Sequence, residues 1–195
     1  MLYISCDMAK KAPAAKKAPV AKKAPAPKKA PYDLDFGERG TLKDHRKAFF
    51  LYPVFWKETI NPLPSHVKWK RVKFTKSNLK SIPLVRGIYC FVVCPEVDLF
   101  FDTSYLFYVG KTDRTLNVRF EEYLADQDGK GKPRIKVFEM LKQYDGFLYF
   151  YYTELRSAAE VKRVEEKLIN TFVPRVNTQI PRTKVKEELK YLYEI

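Results

Sequence analysis

One glutamate stands where a purely structural chain would place another residue, and one arginine–tyrosine pair shares a helix face. Between residues 158 and 172, a helical advance of about 100° per residue puts Val161, Val164, Leu168, Ile169 and Phe172 on one stripe, and Glu165 falls inside it. Its neighbour Glu166 points well away. A carboxylate on a packed face must be paired, hydrogen-bonded or bound to a metal, because desolvating it alone costs about several kcal/mol. A salt bridge to an Arg at the core edge and a functional site are the two readings of Glu165. Arg119 and Tyr123, four residues apart, share a helix face beside the apolar Phe120 and Leu124. Alone they read as amphipathic edge residues. An Arg, a Tyr, a Lys and an acid brought together at the ends of two strands would instead suit phosphoryl chemistry, since a planar guanidinium matches a phosphate and a carboxylate holds a hard divalent cation.

The elements that must position these groups are readable from residue 86 onward. Gly87-Ile-Tyr-Cys-Phe-Val-Val93, ended by Pro95, and Tyr105-Leu-Phe-Tyr-Val109, ended by Gly110, are β-branched and aromatic runs that predict a hairpin with a long tip. Thr115 can cap a helix running through about Gln127. The basic stretch Asp128-Gly-Lys-Gly-Lys-Pro133 predicts a loop, followed by a second helix to about Tyr144. Phe147-Leu-Tyr-Phe-Tyr-Tyr152 reads as a strand covered on both faces, and Ser157-Ala-Ala-Glu160 as a capping box opening the helix that carries Glu165. The order β, β, α, α, β, α predicts an α/β (α+β) domain with a small central, mainly antiparallel three-stranded sheet flanked by helices. Earlier in the chain, Val67-Lys-Trp-Lys-Arg-Val-Lys-Phe74 partly alternates and could be a strand with a basic face. The expected organisation is a tail over 1–31, an extension over 32–82 packed on or preceding the core, a domain over 83–178 and a C-terminal helical extension over 179–195, with a polar helix at 183–193.

The chain has 195 residues, 37 Lys+Arg against 23 Asp+Glu and a formal net charge of +14, so an acidic partner is expected. Half of that excess lies in residues 1–31, where Lys-Lys-Ala-Pro recurs every six residues. Proline at that spacing blocks a continuous helix and predicts an extended, solvated segment. Its lysines, Lys10, Lys11, Lys16, Lys17, Lys22, Lys23, Lys28 and Lys29, are suited to nonspecific phosphate contact, although a solubilising extension explains the composition too. Aromatic residues are 15% of the chain, enough large apolar surface for a packed body beyond the tail. The longest apolar run, the seven residues Ile88 to Cys94, falls far short of the roughly 18–20 that span a membrane. Residues 1–6 lack the basic leader and apolar core of a secretory signal, and the start at Met1 or Met8 stays open. Three cysteines argue for a reducing compartment, hence an intracellular location in cytoplasm, nucleoid or nucleus. Cys90 and Cys94 share strand parity and read as packing residues rather than zinc ligands.

The motifs together resemble a known family. Gly87-Ile-Tyr89 followed by Tyr108-Val-Gly110 is similar to the paired motifs of the GIY-YIG nuclease domain. Lys111, then Arg119-Phe-Glu-Glu-Tyr123, resembles the excision-repair (UvrC-type) branch, and Glu165-Glu-Lys-Leu-Ile169 with Pro174-Arg-Val-Asn177 resembles its glutamate helix and closing Pro-x-x-Asn. Eighteen residues separate Tyr89 from Tyr108, more than is usual for the family, which fits the longer hairpin tip. The tail resembles the lysine-, alanine- and proline-rich tails of linker-histone-like proteins. The nuclease resemblance implies phosphodiester hydrolysis with one divalent metal, Mg²⁺ or Mn²⁺, held by Glu165, and with Tyr89 or Tyr108 as general base. It implies that Lys111 eases ionisation of that tyrosine, that Arg119 holds the scissile phosphate and that Tyr123 and Asn177 complete the site. Arg114 is a second candidate for the phosphate arginine, and Asn177 has a plain reading as a turn residue after Pro174.

DNA, in double-stranded form, is the expected partner, with Lys130, Lys132 and Arg134 of the basic loop as further phosphate contacts. No small-molecule cofactor and no membrane partner are expected. A nucleic-acid-binding module that keeps the fold without turnover is the alternative, and a basic RNA-associated structural protein a third reading. His45 and His66 lie in unrelated contexts and do not make a histidine-based metal nuclease.

Overall fold

In the computed structural model, residues 45–59, 67–95 and 103–180 are described. The Lys-Lys-Ala-Pro tail, the hairpin tip, His66 and the predicted helix at 183–193 lie outside them. The elements are helix α1 (Pro53–Thr59), strand β1 (Lys70–Lys73), a 3-10 helix at Lys76–Ser81, strands β2 (Gly87–Val93) and β3 (Tyr105–Thr112), helices α2 (Leu116–Gln127) and α3 (Ile135–Gln143), strand β4 (Leu148–Glu154) and helix α4 (Ala158–Phe172). The sheet is antiparallel throughout, in the order β1-β4-β2-β3. The α+β architecture expected from the sequence is present, with four strands rather than three. The added edge strand β1 comes from the basic segment 67–74, where Arg71 lies opposite Tyr151 and Lys73 opposite Tyr149.

Strand parity divides the core. Tyr89 and Phe91 of β2 pack with Phe150 of β4, Phe120 and Tyr123 of α2 and Leu141 of α3 on one face of the sheet. Ile88, Cys90 and Val92 face the other way, against Val161, Val164, Leu168 and Ile169 of α4. The helix stripe read from the sequence is therefore the buried face of α4 up to Ile169. Phe172, at the last turn, departs from it and is 44% exposed, because the helix ends there. Val173 closes α4 in the left-handed region (φ 43°), and Pro174 prevents its continuation. Cys90 and Cys94 are free thiols, and no described helix is long and apolar enough to cross a membrane.

The turn after α4 carries the chain back along β3, the open edge of the sheet. There Val176 N–H donates to the Phe107 carbonyl at 3.0 Å. Asn177 then binds one residue twice, its Oδ1 accepting from Val109 N–H at 2.9 Å and its Nδ2 donating to Val109 C=O at 2.8 Å. The carboxamide thus replaces a missing neighbouring strand, a way of satisfying an edge that would otherwise hold unpaired backbone groups.

Candidate active site

Tyr89 lies directly opposite Gly110 across the β2–β3 ladder. Its ring stacks on Phe150 at 5.2 Å between centroids and is 1% exposed. A methyl group on Gly110 would come within 2.5 Å of the Tyr89 hydroxyl, so the glycine is what lets the phenol lie flat across β3. Gly87 is constrained in the same way, since a side chain there would run into the Thr153 carbonyl oxygen.

Thr115 starts α2, its Oγ1 accepting from Val118 N–H at 3.2 Å, and thereby sets where Arg119 points. The guanidinium makes three contacts: Nε donates to the Tyr89 oxygen (3.0 Å), Nη2 to the Tyr123 oxygen (3.1 Å) and Nη1 to Glu122 Oε2 (2.7 Å). Its Cζ lies 4.6 Å from the centroid of the Tyr123 ring, and the Tyr89 and Tyr123 hydroxyls are hydrogen-bonded to each other at 3.0 Å. Burial pushes both phenols above their ordinary pKa, most of the opposition coming from Arg119. Burial opposes the Arg119 charge as well, but the two phenols and Glu122 outweigh it and hold that pKa high. The cluster is a fixed cation held by neutral phenols.

Tyr108 has a cation of its own. Its hydroxyl accepts from Arg134 Nη2 at 2.7 Å, with Arg134 Cζ 5.3 Å from the ring centroid. The sequence placed Arg134 among the phosphate contacts and Lys111 beside the tyrosines. Here the arrangement differs, because Lys111 follows Val109 at even spacing and shares its face, opposite to that of Tyr89. Lys111 Nζ instead lies 3.1 Å from Glu165 Oε2, with the two side chains 32% and 18% exposed. Burial raises the Glu165 pKa, against the pull of Lys111. Glu165 is thus a half-buried carboxylate whose described partner is a lysine rather than a core-edge arginine.

The structure brings Tyr89, Arg119 and Tyr123 into direct contact and places Tyr108 beside them, its ring 6.2 Å from that of Tyr89. It places Lys111 and Glu165 together as a pair, and uses Asn177 to fix the β3 edge. Arg114 pairs with the far oxygen of Glu122 at 2.6 Å and makes no contact with the tyrosines, so Arg119 is the arginine of the cluster. Lys130 pairs with Asp128 at 3.0 Å and Lys132 is exposed. Glu122, which joins Arg114 to Arg119, went unread in the sequence, although its i, i+3 spacing from Arg119 was a signal.

Residues 88–178 match the family model described as the GIY-YIG catalytic domain. The chain therefore carries a GIY-YIG domain over that span. Among solved structures it is similar to the GIY-YIG N-terminal endonuclease domain of UvrC from Thermotoga maritima bound to its catalytic divalent cation, magnesium, at 22% identity and a TM-score of 0.38, over 52% of this chain and 93% of that one. A point mutant of the same domain with its divalent cation matches at 21% identity and a TM-score of 0.39, over 53% of this chain and 94% of that one. No curated protein matches the sequence.

The donor set around Glu165 limits the kind of cation it could hold. Among the described residues no group of three or more His, Cys, Asp or Glu could form a protein cage for a metal. A single oxygen ligand that reaches solvent fits Mg²⁺, which binds through one or two carboxylates and keeps several waters, and does not fit zinc.

Proposed function

We propose that the chain is a metal-dependent endonuclease that hydrolyses phosphodiester bonds of double-stranded DNA, with one divalent ion, Mg²⁺ or Mn²⁺, held by Glu165. The observation that carries this reading is the state of Arg119. Of the five N–H groups of a guanidinium, three are engaged by Tyr89, Tyr123 and Glu122, and one remains on each Nη. A side chain already fixed by its neighbours and still holding two donors is preorganised for a phosphate, which lowers the cost of orienting it. When bound, the cation would supply Lewis-acid stabilisation of the leaving oxygen.

Of the two candidate bases, Tyr108 suits the role better. Burial keeps Tyr89 neutral, and its oxygen is engaged by both Arg119 and Tyr123. The Tyr108 oxygen offers lone pairs with a guanidinium on one side. In this reading Tyr108 is the general base that takes a proton from water, the water oxygen bonds to phosphorus, and the bond from phosphorus to the leaving oxygen breaks, the leaving oxygen taking a proton from solvent. Lys111 balances the Glu165 charge in the free protein.

One observation favours the alternative, a nucleic-acid-binding domain without turnover: the lone carboxylate is already neutralised by Lys111 at 3.1 Å. Nicking of supercoiled plasmid separates the two. The endonuclease reading expects relaxation with Mg²⁺ or Mn²⁺ that EDTA stops, whereas tight, salt-sensitive binding with no nick under any divalent ion would establish the alternative.

A further inference from the structure

Arg134 stands at a position that helix chemistry would fill otherwise. It is the N-cap of α3: its backbone is extended (φ −66°, ψ 138°), and its carbonyl accepts from Val137 N–H at 2.9 Å and Phe138 N–H at 3.0 Å. Serine, threonine, aspartate or asparagine is preferred there, because a short side-chain oxygen accepts a free N–H of the first turn. Thr115 and Ser157 do so for α2 and α4. Arginine cannot accept, makes no cap bond and sets a cation at the positive end of the helix dipole, with no acid in the first turn to offset it. The side chain serves Tyr108 instead, whose hydroxyl accepts from Nη2 at 2.7 Å and whose ring centroid lies 5.3 Å from Cζ.

The stretch before α3 is shaped to deliver that contact. Gly129 N–H donates to Asp126 C=O at 3.0 Å and Lys130 N–H to Ala125 C=O at 2.9 Å, which folds the chain back on the end of α2, and Pro133 is buried. Of the three cations expected to meet phosphates here, Lys130 pairs with Asp128 and Lys132 is exposed, while Arg134 turns its head onto Tyr108. The ionisable groups that face Tyr108 from the neighbouring elements are Tyr89 of β2 and Tyr123 of α2, with ring centroids 6.2 and 6.4 Å away, and Arg119 is bonded to both of their hydroxyls. Asp126 of α2 feels the charge of both arginines. The cation in direct contact with the Tyr108 oxygen is Arg134.

We propose that Arg134 is a positioning residue for the base: it fixes the Tyr108 oxygen and biases it toward accepting a proton, the part that the family resemblance implied for Lys111. A donor with full positive charge favours the deprotonated form of the phenol it meets. The proton itself passes from water to the Tyr108 oxygen, and Arg134 keeps its own. The role of Tyr108 as base rests on the endonuclease reading above, whereas the effect of Arg134 on the Tyr108 oxygen does not.

Arg134→Ser separates this role from a structural one, since serine is the better cap. The full chain, labelled with ¹³C at the tyrosine Cζ and titrated by NMR, reports the oxygen without any cleavage, the Tyr108 signal being assigned by its loss in Tyr108→Phe. In Arg134→Ser that signal should titrate about 1 pH unit above its wild-type position, and in Arg134→Lys close to it, with urea midpoints near wild type in both. Cleavage by Arg134→Ser at saturating protein should fall about 10-fold at neutral pH and recover as the pH is raised, while DNA affinity changes less than about 3-fold. An unmoved Tyr108 signal would overturn the proposal: with weakened DNA binding it would make Arg134 a phosphate contact, and with a lower urea midpoint a structural one. A loss of cleavage that higher pH does not restore would overturn it too. A wild type that never cuts but shows the shifted signal in Arg134→Ser would remove the endonuclease reading and leave the effect of Arg134 on the Tyr108 oxygen standing.

Discussion

Replacing Gly110 by alanine adds a single methyl group, and the structure says where it would go. The new Cβ would lie 2.5 Å from the Tyr89 hydroxyl, 2.6 Å from Cζ and 2.8 Å from Cε2. The ring has no room to retreat, being 1% exposed and packed against Phe150, Phe91 and Tyr123. Overpacking of this kind costs about 1–3 kcal/mol, and displacing the phenol also loses its hydrogen bonds to Arg119 and Tyr123 at about 1 kcal/mol each. Gly110→Ala should therefore destabilise the domain by about 3 kcal/mol, a fall of roughly 10 °C in Tm for a domain of this size. Urea unfolding of a double-mutant cycle tests the geometry more sharply than the single change. Tyr89→Phe should not relieve Gly110→Ala, because both ring carbons still collide, whereas Tyr89→Leu should make the added methyl nearly neutral. Wild-type stability in Gly110→Ala, or rescue by phenylalanine as good as that by leucine, would mean that the added methyl does not meet the Tyr89 ring.

Three further outcomes follow from the same contacts. Arg119→Lys removes a fork that serves three partners at once, and should lower single-turnover cleavage about 100-fold while changing DNA affinity less than about 10-fold, measured by quench-flow and anisotropy. Asn177→Ala leaves both backbone groups of the fully buried Val109 without their partner and should cost about 2 kcal/mol in urea, with Asn177→Asp in between because it keeps only the acceptor. Burial raises the pKa of Tyr89, Tyr123 and Cys90 in the folded state. Their contribution to stability is intact below the unfolded values, about 8.5 for Cys and 10 for Tyr, and is lost as pH rises from there toward the folded ones. Stability should thus fall through the alkaline range, and Tyr89→Phe should flatten that fall in a pH series of denaturation midpoints.

The parts of the fold set by local chemistry were open to reading in advance. Thr115 and Ser157 cap α2 and α4 where their side chains predict, and the apolar run from Gly87 ends at Val93 before Pro95. β1 was less legible because an edge strand needs only one buried side, and its four residues Lys-Arg-Val-Lys bear charge at three positions. β3 runs on through Gly110 and Lys111 to Thr112, past the glycine expected to end it, because β2 continues to offer partners as far as Gly87. In the site, the i, i+4 spacing of Arg119 and Tyr123 translated directly into contact. Strand parity held the information that Lys111 and Tyr108 lie on opposite faces, but the motif order drew attention to their adjacency instead. The contact of Arg134 with Tyr108 carried no sequence signal, since it joins the start of α3 to a strand 26 residues earlier.

The proposed role of Glu165 is that of a metal anchor for hydrolysis and not of a structural ion pair. Single-turnover cleavage of an end-labelled duplex at saturating protein and Mg²⁺, comparing wild type with Glu165→Gln, tests it most directly. Cutting by the wild type and none by Glu165→Gln is expected, with the variant still folded and still binding DNA. Equal cutting by both, or a wild type that binds the duplex and leaves it intact with every divalent ion tried, would contradict it.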